Sequence, residues 1–164
     1  MNILKIIESI LDKLDVVFKY LTALILGSMT ILIFIQVLFR YILNSPLAWS
    51  EELAKYLFIW MTFIAGYVGA RQNKHIGVEA VQKALPPFAG KCLKSFCHGL
   101  CGVFFGAVVY YIIFFWGKLT VQKSPALGIP LSVVYLGMLI GCLFMAIWYI
   151  LLAIKVFTDA KEVK

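Results

Sequence analysis

Residues 39–56 read FRYILNSPLAWSEELAKY and form a polar stretch between two apolar runs that are each long enough to cross a bilayer. Residues 20–39 contain no charged side chain, and residues 53–70 contain only one, Lys55. Residues 95–117 and 131–154 contain no Asp, Glu, Lys or Arg. A helix rises about 1.5 Å per residue and needs about 20 apolar residues to span the hydrocarbon core. The chain is therefore predicted to have four transmembrane spans, at about residues 18–40, 50–71, 95–117 and 131–155.

The composition supports a single membrane domain over residues 1–164. Hydrophobic residues make up 63% of the chain and charged residues 14%, against roughly 45–50% and about 25% in soluble domains. Residues 2–15 repeat apolar side chains at helical spacing, which predicts an amphipathic helix in the membrane interface. The predicted fold class is thus an all-α integral membrane protein with four transmembrane helices and an N-terminal interfacial helix.

The positive charges predict the orientation of the spans. Lys and Arg residues precede span one, separate spans two and three, and follow span four, so that only Arg40, Lys55, Lys118 and Lys123 lie elsewhere. Cytoplasmic segments of membrane proteins carry the excess of Lys and Arg. We therefore expect a multi-pass protein of the bacterial inner membrane with both termini in the cytoplasm. The net charge of +7 is explained by topology, and nucleic acid is not an expected partner.

The polar stretch has a local structural explanation. Pro46 favours a turn, so Ser50 is the predicted N-cap of span two, with Glu51 and Glu52 in its first turn near the positive end of the helix dipole. Glu51 and Lys55 stand at i,i+4 in the favourable order for an ion pair. The two carboxylates could therefore set a helix end without taking part in any chemistry.

Small residues recur at the spacing that lets membrane helices approach closely. Several spans carry such pairs, which predicts a packed bundle. The candidate packing positions are Gly66, Gly69, Gly102, Gly106, Gly137 and Gly141.

Catalytic and metal-binding patterns are missing from the sequence. Cys92, Cys97, Cys101 and Cys142 form no CxxC pair, so neither a zinc site nor a cofactor is predicted. Spans one, three and four contain no Asp or Glu, whereas an autonomous ion-coupled carrier needs an ionisable group inside the membrane. We therefore predict a protein that is not an enzyme and is poorly equipped to transport alone.

Residues 39–79, FRYILNSPLAWSEELAKYLFIWMTFIAGYVGARQNKHIGVE, resemble the small membrane subunit of tripartite ATP-independent periplasmic (TRAP) transporters. That family is marked by the pattern F-R-Y…N-x-P-x-x-W-S-E-E…L-F-x-W…G-x…R…H-I. Residues 124–141, SPALGIPLSVVYLGMLIG, are similar to the segment that leads into the family's last helix. The family often has Asp where this chain has Glu79. The matching residues are Phe39, Arg40, Tyr41, Asn44, Pro46, Trp49, Ser50, Glu51, Glu52, Leu57, Phe58, Trp60, Arg71, His75 and Ile76.

The resemblance implies a non-catalytic small permease subunit of a sodium-coupled importer for an organic acid, of the C4-dicarboxylate or sialic acid type. Its implied partners are a large polytopic membrane subunit, which binds the sodium, a periplasmic substrate-binding protein, and membrane lipids. We expect the small subunit to scaffold the large one and to help dock the periplasmic protein. The residues expected to form a polar network or partner interface are Arg40, Trp49, Ser50, Glu51, Glu52, Lys55, Arg71 and His75.

Two alternatives belong to other functional classes. An autonomous homodimeric four-helix carrier would use Glu51 or Glu52 as its coupling acid. A membrane thiol-redox enzyme would use the cysteines, although their spacing does not favour it.

Overall fold

A computed structural model describes residues 2–72 and 86–158 of the chain. Those residues are helical apart from short connections and one isolated bridge between Lys123 and Pro130. The helices are α1 (Asn2–Tyr41), α2 (Ala48–Arg71), α3 (Pro87–Phe114), α4 (Trp116–Val121) and α5 (Leu131–Thr158). Four of them, α1, α2, α3 and α5, are long and apolar enough to cross a membrane. The predicted all-α membrane fold is therefore confirmed.

The N-terminal segment is helical but is not a separate element. Residues 2–15 run without a break into the first span as part of the 40-residue α1. The sequence contains no proline, which would break a helix, and no glycine, which would weaken one, before Gly27. The position of this segment in the membrane interface stays a prediction.

Two helix ends differ from the sequence-based boundaries. The predicted cap at Ser50 is wrong, because α2 already begins at Ala48 and Leu47 precedes it in an extended conformation. Ser50 is fully buried in the first turn, and its hydroxyl donates a 2.8 Å hydrogen bond to the carbonyl of Leu47. A buried hydroxyl needs such a partner, and a nearby backbone carbonyl supplies it. The third span ends at Phe114, where Phe115 forms a turn before the short α4.

The packed helices that the sequence predicted are arranged as an open row. In the described part of the chain, α1 packs along α2, α2 along α5, and α5 along α3, which leaves α1 and α3 at opposite edges. The centre of the row is the α2–α5 interface, where Ile64, Tyr67 and Cys142 are almost completely buried. We call the end that holds residues 42–47 and 122–130 the loop end, and the opposite end the terminal end.

Two glycines of α5 set the close packing at the centre. A Cβ atom built at Gly137 would lie 2.4 Å from the Trp60 ring, and one built at Gly141 would lie 2.5 Å from the carbonyl oxygen of Phe63. Real Cβ atoms are not found at such distances, so α5 can approach α2 here only because both positions lack a side chain.

The other four glycines are less confined. A Cβ at Gly102 would meet Ile150 at 2.9 Å, and one at Gly66 would make ordinary contact with Met145. At Gly69 and Gly106 it would meet no described atom within 4 Å. These last two positions therefore show no close helix approach of the predicted kind within the described residues.

Candidate functional site

The loop end contains a carboxylate that binds a distant segment of the chain. One oxygen of Glu52 accepts hydrogen bonds from the backbone N–H groups of Ala126 and Leu127, at 2.8 and 2.9 Å. The other oxygen accepts a 2.5 Å hydrogen bond from the hydroxyl of Tyr56, one turn further along α2. Hydrogen bonds to an ionised acceptor are the stronger class. Glu52 therefore fastens the connection before α5 to the start of α2.

The segment that Glu52 binds is itself a compact loop, which we call the outer loop, residues 122–131. Its ends are joined by hydrogen bonds from Leu131 N to Gln122 O and from Ser124 N to Ile129 O, both 2.9 Å long. Gly128 has a φ of +67°, a left-handed conformation that glycine adopts without strain. The turn exposes the N–H groups of residues 126 and 127 to one acceptor, so that a single carboxylate can bind both.

Glu51 has a different and more local role. Its carboxylate pairs with Lys55 at 2.8 Å on an exposed face of α2. Arg40 lies at the end of α1, and its guanidinium carbon is 5.8 Å from the centroid of the Tyr41 ring. Arg40 and Glu51 line a pocket of about 320 Å³, together with Gln36, Pro46, Leu47 and Ala48.

At the loop end, the residues of the predicted polar network thus fall into two separate groups. Arg40 and Glu51 line the surface pocket, with Lys55 paired to Glu51, whereas Glu52 binds the outer loop. Trp49 is exposed beside them. The two backbone partners of Glu52 in the outer loop are 74 and 75 residues away in sequence, so the residue pattern around Glu52 carried no signal for them.

The terminal end holds a second polar site, centred on Arg71. Its guanidinium forms an ion pair with Asp12 of α1 and lies 4.4 Å from the ring of Trp148 of α5. The indole N–H of Trp148 donates a 3.1 Å hydrogen bond to the carbonyl of Ala70. One side chain therefore joins three helices through a charge pair and a cation–π contact. His75, predicted to act beside Arg71, lies outside the described residues.

Further residues at the terminal end were not singled out from the sequence. Asp15 is buried and pairs with Lys19 at 2.6 Å, while Phe18 packs edge-on against Tyr67 with ring centroids 5.4 Å apart. The available signal was the presence of Asp12 and Asp15 just before the long apolar run of α1. This signal does not reveal which helix the two side chains face.

The described residues contain no group of three or more His, Cys, Asp or Glu side chains that could hold a metal ion. All four cysteines are free. His98 is buried in α3 and stacks on Tyr149 of α5 at a centroid distance of 5.9 Å. The polar groups at both ends therefore join helices and loops to one another.

The chain is similar to known transport proteins over most of its length. Residues 29–159 match the model of the DctQ component of tripartite ATP-independent periplasmic transporters. The ectoine TRAP transporter small permease protein TeaB of Halomonas elongata is 27% identical over 160 residues, which are 96% of this chain and 81% of that protein. The C4-dicarboxylate TRAP transporter small permease protein DctQ of Vibrio cholerae is 32% identical over 72 residues, covering 44% of this chain and 31% of that one.

A third relative is a much longer protein. The isethionate TRAP transporter permease protein DctMQ of Oleidesulfovibrio alaskensis is 30% identical over 149 residues. The match covers 84% of this chain but 23% of that protein. Together with four helices that can span a membrane and the family match, which extends from the first span to the end of the last, these similarities establish that the chain belongs to the DctQ component family of tripartite ATP-independent periplasmic transporters.

Proposed function

We propose that this chain is a non-catalytic scaffold for the large membrane subunit of a sodium-coupled importer of an organic acid. The observation that carries the proposal is the distribution of charge: in the described spans, the acidic side chains lie near the helix ends and none lies midway. A helix set without a central ionisable group is suited to packing in lipid and lacks the usual site for ion-coupled transport. The sodium and the substrate are then bound by the partner, and this chain needs no cofactor.

The longer relative supports a large permease as the partner. A stretch similar to most of this chain makes up 23% of one permease polypeptide. The rest of that polypeptide then corresponds to a separate large subunit that binds this chain. The relatives are named for ectoine, C4-dicarboxylate and isethionate. This variety supports an organic acid as the substrate class, with the individual substrate selected by another subunit.

The loop end is our proposed contact for a periplasmic substrate-binding protein. Glu52 holds the outer loop in one conformation, and Lys118 and Lys123 are exposed on and beside that loop. A fixed loop loses little conformational entropy when it binds, which favours association. We place this end in the periplasm and the terminal end in the cytoplasm of the inner membrane, following the distribution of positive charge.

The alternative of an autonomous carrier finds no support in the positions of its candidate acids. Glu52 accepts three hydrogen bonds within the chain, and Glu51 pairs with Lys55 on the surface. Neither carboxylate lies midway through a span. We therefore retain the scaffold as the proposed function.

Reconstitution of purified subunits tests this function. Proteoliposomes would contain the large subunit alone, this chain alone, or both, each with the periplasmic binding protein outside and an inward sodium gradient. We expect uptake only when both membrane subunits are present. Uptake by this chain alone would contradict the proposal, as would full uptake by the large subunit without it.

Topology and docking need separate measurements. A periplasm-dependent reporter inserted at residue 45 should be active, and the same reporter at the C-terminus should be silent. For docking, the immobilised membrane complex should bind the periplasmic protein less tightly when Lys118 and Lys123 are both changed to Glu. A Lys13→Glu variant, altered at the terminal end, is the matched control and should bind normally.

A further inference from the structure

Three buried polar atoms at the terminal end lack a hydrogen bond of good geometry among the described residues. They are one carboxylate oxygen of Asp15, the hydroxyl of Tyr67 and the Nη1 nitrogen of Arg71. Tyr67 is 0% exposed and Asp15 is 9% exposed, while the Arg71 side chain is 9% exposed. A buried polar group without a partner is costly, so native structures satisfy nearly all of them.

The packing of α1 against α2 brings the three groups into one region. Asp12 of α1 pairs with Arg71 of α2, and this ion pair defines the register in which the two helices pack. Asp15 stands one turn further along α1, and Tyr67 stands one turn back along the oppositely directed α2. Phe18, about one turn beyond Asp15, packs against the Tyr67 ring with the two ring centroids 5.4 Å apart. The Tyr67 hydroxyl lies near Arg71, with which it makes a weak hydrogen-bond contact, and within electrostatic range of Asp15 and Asp12.

The chemistry of the three atoms selects the occupant. The guanidinium nitrogen can only donate, the carboxylate oxygen can only accept, and the phenol can do either. The charges also balance, because Asp12 and Asp15 are matched by Lys19 and Arg71. A cation here would be repelled by the guanidinium and an anion by the carboxylate. A small neutral molecule with both donors and acceptors fits all three groups.

We propose that a buried water molecule binds between α1 and α2 at this point. The water accepts a hydrogen bond from Nη1 of Arg71, donates one to the free oxygen of Asp15, and exchanges a third with the hydroxyl of Tyr67. Three hydrogen bonds are typical of a buried water. Because Arg71 also contacts Trp148, the bridge connects α1 through α2 to α5. The site fixes the N-terminal half of α1 to the rest of the row and does not depend on the proposed transport function.

Radiolytic labelling provides a direct test of the water. The full chain in lipid nanodiscs is exposed to a millisecond X-ray pulse and analysed by mass spectrometry. A bound water yields hydroxyl radicals beside the side chain that it touches, so Tyr67 should be oxidised despite its burial. Tyr149, which is 5% exposed, is the internal reference. Oxidation of Tyr67 at no more than the rate of Tyr149 would overturn the proposal.

The sign of a stability change provides a second test. If the water is present, Tyr67→Phe removes one of its hydrogen bonds, and the melting temperature should fall by about 2–4 °C. If the hydroxyl is buried without a partner, the same change should raise the melting temperature. Tyr20→Phe alters an exposed tyrosine of α1 and should have no effect. A lowered melting temperature without labelling of Tyr67 would indicate a direct protein partner and would also overturn the proposal.

Discussion

Replacing Gly141 by alanine tests the helix contact at the centre of the row. The added Cβ would lie 2.5 Å from the carbonyl oxygen of Phe63 and 2.6 Å from its carbonyl carbon. Both atoms belong to the backbone of α2, so no side chain can move aside, and α5 must shift away by roughly 1 Å to restore ordinary contact. Overpacking of this kind costs about 1–3 kcal/mol, partly offset by a gain of about 0.5–1 kcal/mol from helix propensity.

The expected net loss is therefore about 1–2 kcal/mol. For a domain of this size it corresponds to a fall in melting temperature of about 2–8 °C. The measurement is tryptophan fluorescence during heating of the purified chain in one detergent and at one heating rate, because unfolding of membrane proteins is often irreversible.

Gly106→Ala is the matched control for this prediction. A Cβ at that position meets no described atom within 4 Å, so only the gain in helix propensity remains, and the melting temperature should rise by about 1–4 °C. The two substitutions are chemically identical and should act in opposite directions. Equal shifts for both variants would refute the assignment of the close α2–α5 contact to Gly141.

Three further predictions concern the polar and thiol groups. Glu52→Ala should reduce the yield of complex with the large subunit in a pull-down and lower uptake in parallel, because the outer loop loses its anchor. Glu51→Ala breaks only an exposed ion pair and should leave the complex yield and the uptake unchanged. Asp12→Asn should destabilise the chain by about 1–2 kcal/mol by leaving a buried guanidinium without its counter-charge; hydrogen exchange in residues 9–20 should accelerate, and unchanged exchange would contradict the role of the pair. Cys142→Ser should lower stability by about 1–2 kcal/mol, because it buries a hydroxyl among apolar groups, whereas the half-buried Cys92→Ser should have little effect on a melting curve. Retained uptake in a variant with all four cysteines changed to serine would exclude thiol chemistry.

Some functional inferences depended on short sequence patterns whose residues make separate contacts in the structure. The W-S-E-E stretch predicted a polar feature at the start of span two, and two adjacent glutamates do lie there. The sequence treated them as one network, yet Glu51 faces Lys55 on the surface and Glu52 binds the outer loop. Ser50, the third member of the stretch, lies inside the helix rather than at its cap. The assignment of each side chain depends on the direction it faces, and local spacing does not determine this direction.

The sequence by itself determined the four spanning helices, their approximate limits and the family of the chain. Each span can be recognised from the hydrophobicity summed over one continuous segment. This works because, in lipid, the backbone must satisfy its own hydrogen bonds and the side chains must be apolar. The tertiary structure alone decided that the helices form a row, that Gly137 and Gly141 are tightly packed, and that Asp12 meets Arg71 across 59 residues of chain. Such contacts depend on the register in which packed helices meet, and this register is set by the joint fit of two surfaces that lie far apart in the sequence.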